Sequence, residues 1–214
     1  MRNRTAFWFL VFGSAILSVA RPVGAANPLP QVVLEEGVPV LQLPERLAQF
    51  IQAKFPDLRV VGKEDMTGGW ATFRGKREVP YGSWGDFNGD GLTDVALILL
   101  GKGYWRLLAF QQLKDGSYAA LKLEEFPGPD DLEYTQIHPA QDYYLATLKA
   151  GELIRLAGKP LQETGPKHDA ITFFMVKDAS SAILYEWTAA TDAENADFRR
   201  NGFYLISCWG EFVD

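Results

Sequence analysis

From Asp86 to Val95 the chain reads D-F-N-G-D-G-L-T-D-V, and oxygen-bearing side chains recur on alternate residues. Asp86, Asn88 and Asp90 stand at positions 1, 3 and 5 of this stretch, Gly91 at 6, Leu92 at 7 and Asp94 at 9. Three carboxylates so close together repel one another unless a cation compensates them. Calcium is a hard ion that takes about six to eight oxygens, and a tight loop delivers them from alternate residues. In such a loop a glycine at position 6 permits the sharp turn, and position 7 contributes its backbone carbonyl. The expected site is one Ca2+ ion held by the side chains of Asp86, Asn88, Asp90 and Asp94 and by the carbonyl of Leu92. The competing reading of the same residues is an Asp/Asn/Gly-rich hairpin turn that binds no metal.

An EF-hand loop would close with a bidentate glutamate at position 12 and run on into a helix. Here position 12 is Leu97, within the apolar run VALILL that reads as a buried strand, so the EF-hand is excluded. The residues D-F-N-G-D-G-L-T-D-V-A, 86–96, resemble instead the calcium loop of FG-GAP and VCBS-type repeats, known from integrin propellers and from many exported bacterial proteins. The resemblance implies a loop joining two β-strands, direct ligation by Asp94 and a structural role for the ion. It covers these eleven residues and little else. A closed propeller needs several blades of about four strands each, and one copy of the motif is too few for that.

The elements that must position the loop are legible on either side of it. In LPERLAQFIQAKF the apolar residues Leu43, Leu47, Phe50, Ile51 and Phe55 fall on one face of a helix at about residues 44–55. Pro44 suits its start, and Pro56 forbids its continuation. Residues 26–42 are Pro- and Val-rich and read as extended. LRVV, WATF, VALILL, YWRLLAFQQL, YAALKL, DYYLATLK, ITFFMV, AILYEW and FYLISCW read as strands, with KDGS at 114–117 as a hairpin turn. The fold class expected is α+β: one N-terminal amphipathic helix packed on a mainly antiparallel β-sheet, a single domain and not a closed propeller.

Residues 1–25 have the order of a secretory signal peptide. Arg2 and Arg4 precede the apolar run Ala6–Ala20, and small residues at Val23, Gly24 and Ala25 mark a cleavage site before Ala26. The chain is expected to be exported, periplasmic or secreted, with residues 26–42 an extended segment and 43–214 a single α+β calcium-loop domain. Cleavage removes three arginines and moves the formal charge from −6 to −9. Such acidity gives no footprint for nucleic acid, and no membrane span is expected after cleavage. Cys208 is the single cysteine, so no intrachain disulfide forms, and it reads as a small buried hydrophobe.

Other catalytic chemistry is thinly represented. His138 and His168 are separate and read as loop histidines, and there is no HExxH, G-x-S-x-G or phosphate-cradling glycine motif. The acidic pairs Glu35–Glu36, Glu124–Glu125 and Asp130–Asp131 read as exposed charge. No catalytic residue is assigned. Trp187 and Trp209 lie in apolar strands and read as core, whereas Trp70 and Trp84 are the aromatics expected to be exposed. Through them the partner expected is carbohydrate or another protein. The sequence supports a calcium-stabilised binding or interaction module, with a hydrolase of cell-wall or polysaccharide material as the alternative. An exposed aromatic strip favours the first; two carboxylates converging across a pocket favour the second.

Overall fold

A computed structural model describes residues 28–127, 143–153, 155–156, 159–160, 164–175, 181–187, 199–200 and 203–209. The signal-peptide stretch, His138, Asp130–Asp131 and the side chains of Cys208 and Trp209 lie outside the described residues. Among the described residues the fold is mostly antiparallel β-sheet with few helices and no closed barrel.

The first two strands, β1 (Gln31–Glu35) and β2 (Val38–Gln42), pair as a hairpin. Residues 31–42 are thus extended but folded back on themselves. Glu36 and Gly37 both take positive φ and reverse the chain. Helix α1 (Glu45–Lys54) follows, burying Leu47 and Ile51. Phe50 beside them, and Phe55 just past the helix end, meet Phe110 edge-on at 6.3 Å each. Beyond the short β3 (Arg59–Val60) come two 3₁₀ turns, Lys63–Asp65 and Gly68–Phe73.

The second of these turns corrects two expectations. WATF is not a strand, and Trp70 is not exposed. Gly68 sits at positive φ and breaks the extended backbone, and the turn swings Trp70 inward until its exposure is 0%. There the indole packs on Tyr81 at 5.8 Å and donates its N–H to the Tyr143 carbonyl at 2.5 Å. A short apolar run fits a strand or a buried turn equally well, and the two preceding glycines decide it.

The strands β4 (Gly82–Gly85), β5 (Asp94–Leu100), β6 (Tyr104–Gln112) and β7 (Tyr118–Pro127) then build the first large sheet, in the order β3-β5-β6-β7. β4 also pairs with β5, placing Gly85 opposite Asp94 and Trp84 opposite Val95. β5 is enclosed from Asp94 to Leu99, which explains its unbroken apolar run. The β6–β7 hairpin turns at Asp115–Gly116, where Asp115 accepts from the Ser117 N–H and hydroxyl at 2.9 and 2.6 Å.

Next along the chain lie β8 (Tyr143–Leu148), the small β9–β10 pair (Arg155–Leu156, Lys159–Pro160), β11 (Ala170–Met175), β12 (Ser181–Trp187), β13 (Arg199–Arg200) and β14 (Phe203–Trp209). β9 and β10 pair with each other, and the other five form a second sheet in the order β13-β14-β12-β11-β8. Aromatic side chains join the two sheets: Trp105 and Phe126 of the first meet Phe173 of the second at 5.9 and 5.8 Å. The seam is also hydrogen-bonded, Leu145 N–H to the Pro80 carbonyl at 2.8 Å and the Thr147 hydroxyl to the Trp84 carbonyl at 3.0 Å. No helix among the described residues is long and apolar enough to cross a membrane.

Candidate metal centre

The aspartate loop joins β4 to β5, two strands paired with each other. Its conformation follows from its short polar side chains, which hydrogen-bond nearby backbone and so stabilise turns. Asp86 accepts from three amides: Gly89 at 2.8 Å and Asp90 at 3.0 Å on Oδ1, and Gly91 at 2.9 Å on Oδ2. Asn88 Oδ1 accepts from Asp90 N–H at 3.0 Å, and Asp90 Oδ1 from Leu92 N–H at 2.8 Å. The Asn88 amide nitrogen donates to Asp90 Oδ2 at 3.0 Å. Gly89 and Gly91 have φ of 77° and 83°, the left-handed region that other residues enter at a cost.

Asp94 is held differently. It is fully buried at the start of β5, where its carboxylate accepts from Phe87 N–H at 3.2 Å and Gln112 N–H at 2.9 Å. Burial pushes its carboxyl up to about 7, and the charges of Asp90 and Asp86 add to the rise against the pull of the two amides. Asp86, Asn88 and Asp90 are thus brought together on the loop, while Asp94 lies near enough to feel its acidic neighbours. Among the described residues no three His, Cys, Asp or Glu side chains converge closely enough to hold a metal as they stand.

The donor chemistry nevertheless suits calcium. A carboxylate offers about four lone-pair sites. Three of those on Asp86 go to amides, as do two on Asp94, so each keeps acceptor capacity. Asp90 and Asn88 keep capacity by the same count. All are hard oxygens, and a cation beside Asp94 offsets the burial of a charge that otherwise favours its proton. The fit lies in donor type and charge, not in a ready-made cage.

Sequence reading missed the support this loop receives from the second sheet. The Asp169 carboxylate takes the Lys149 ammonium at 2.7 Å and the N–H groups of Ala150 at 3.2 Å and Asp86 at 3.3 Å. Asp169 N–H in turn donates to the Asp86 carbonyl at 3.2 Å. Burial works to raise the Asp169 carboxyl, but the Lys149 and backbone hydrogen bonds outweigh it and hold it below its ordinary range. His168, a loop histidine, rests on Gly89 so closely that an added Cβ would lie 2.2 Å from its ring. A Cβ on Gly85 would lie 2.5 Å from Asp169 Oδ2. Those two glycines were the available signal.

Gly89→Ala therefore combines strained backbone with a clash and is expected to cost about 1–3 kcal/mol in urea unfolding. Adding His168→Ala should recover only the steric part. Wild-type stability in the single variant would show that the second sheet does not press on the loop.

Comparison of the chain with family models, with curated proteins and with solved structures gives no match.

Proposed function

We propose that this chain is an exported binding or interaction module whose fold is tied together by one structural calcium ion in the loop 86–94. The observation that supports it most is the placement of Asp86, Asn88, Asp90 and Asp94 around one β4–β5 connection, with the last of them buried. Asp86, Asn88, Asp90, Asp94 and the Leu92 carbonyl would hold the ion. When bound, calcium supplies positive charge that joins the loop to the start of β5. The loop's resemblance to FG-GAP and VCBS-type repeats supports the same role. We read residues 43–214 as one α+β domain in which α1 packs on the first sheet, supported by the Phe50 and Phe55 contacts to Phe110. Export rests on residues 1–25, and mass spectrometry of the recovered protein should find Ala26 at or next to the N-terminus.

The hydrolase alternative has one point of support. Glu35 and Glu64 line a common cavity between β2 and the turn after β3. Both are exposed, as carboxylates on a solvated face usually are. We therefore favour the binding module.

Thermal melts decide the calcium reading. Calcium at a hundredfold excess over its dissociation constant should add about 2.7 kcal/mol of stability by mass action. Magnesium should substitute poorly, because it demands a tighter octahedron and gives up water reluctantly. Asp90→Ala should lose the calcium-dependent rise and still fold. An Asp90→Ala melt with undiminished calcium dependence would defeat the assignment.

A further inference from the structure

Two residues before the aspartate loop, a cavity of about 260 Å³ opens where β4 faces β8. Ser83 lines it, only 4% exposed, and its Oγ has no hydrogen-bond partner among the described residues. Buried hydroxyls in folded proteins are almost always bonded, so an orphan on a cavity wall calls for a partner that enters from outside. Trp84, Val79 and Ala146 supply apolar wall, while Arg77 and Glu78 supply a donor and an acceptor at the exposed rim.

The charges select the ligand. A phosphate or carboxylate drawn to Arg77 meets Glu78, and an ammonium drawn to Glu78 meets Arg77. A neutral ring with hydroxyls on its edge meets neither objection. Its hydroxyls donate to Glu78 and accept from Arg77, one of them bonds Ser83 Oγ, and its C–H face lies against apolar wall and indole. The cavity is smaller than the roughly 300–1,000 Å³ of pockets for larger ligands, which limits the occupant to about one ring. We propose that this cavity binds a single pyranose ring of a neutral carbohydrate. The inference rests on the binding-module reading and gives that module its ligand class.

The test titrates the purified protein, calcium present, with the methyl glycosides of glucose, galactose, mannose and N-acetylglucosamine, read by saturation-transfer NMR and calorimetry. At least one should bind saturably, with a dissociation constant on the order of 1 mM or tighter. Ser83→Ala should weaken that binding about tenfold while leaving the melting temperature unchanged or higher, since it deletes an unsatisfied group. Ala146→Leu, which fills the cavity from β8, should abolish binding. Failure of all four glycosides, wild-type affinity in either variant, or displacement by phosphate or glycine would overturn the proposal. Calcium titrated into chelator-treated portions of the same protein separates the two readings. Intact calcium binding without glycoside binding removes the pocket assignment alone, and absence of both removes the calcium loop as well.

Discussion

Trp70→Ala should lower the unfolding free energy by about 3–5 kcal/mol, the usual cost of truncating a fully buried aromatic. The substitution leaves a cavity beside Tyr81 and takes away the N–H that the Tyr143 carbonyl accepts. Its effect reaches further, because the buried Tyr81 hydroxyl accepts from Leu41 N–H at 2.9 Å and anchors β2. Trp70→Phe keeps much of the ring and loses the hydrogen bond, so it should cost less, about 1–3 kcal/mol. Urea denaturation with an unchanged m-value is the measurement. A loss below about 1 kcal/mol for alanine would mean that the indole is not in the core and is available to a ligand after all.

Asp94 carries the second large effect, through pH. Its carboxyl is pushed up from 3.8 to about 7, chiefly by burial and then by Asp90 and Asp86. The folded state therefore holds this proton more tightly than the unfolded state. Below about 3.8 the group costs nothing; stability is lost as the pH rises between the two values, and the full penalty stands above about 7. Calcium-free protein should accordingly lose stability from this group between about pH 4 and pH 8. Calcium at the proposed site should reverse the trend, because it would compete with the proton for the same carboxylate and bind better above about pH 7. Asp94→Asn should flatten the calcium-free slope and remove the calcium response. The slope is the readout rather than stability itself. An asparagine would set its NH₂ against the Phe87 or Gln112 N–H, and that penalty opposes the gain from losing a charge. Unfolding curves at several pH values, with calcium and with a chelator, check both signs. A calcium gain that is the same at about pH 5 and pH 8 would contradict them.

Local chemistry was the legible part of this chain. The alternating oxygen side chains of the loop are contiguous in sequence, and the apolar run after them announced the strand β5. Asp115–Gly116 announced its hairpin in the same way, since a two-residue turn signal needs nothing from the rest of the molecule. The chain concealed whatever depends on distant partners. GSWG, β4, has neither length nor alternation, and it is a strand because β5 pairs with it. WATF carried strand-forming residues, yet Tyr81 and the Tyr143 carbonyl draw Trp70 inside. The clasp of Asp169 and His168 on the loop joins residues more than seventy-five positions apart, which no local pattern encodes. Trp84 fell between the two cases. Expected exposed, it is half-buried, packed partly against the core while lining the cavity beside the loop.

Calorimetric titration of calcium into chelator-treated protein tests the proposed binding of one calcium ion by the loop 86–94. A single site is expected, with a dissociation constant on the order of 10⁻⁴ M, weaker than a sensor EF-hand because the bidentate acid at position 12 is missing. That binding should be lost in Asp90→Ala. No binding heat at millimolar calcium, or the same isotherm in Asp90→Ala, would contradict it.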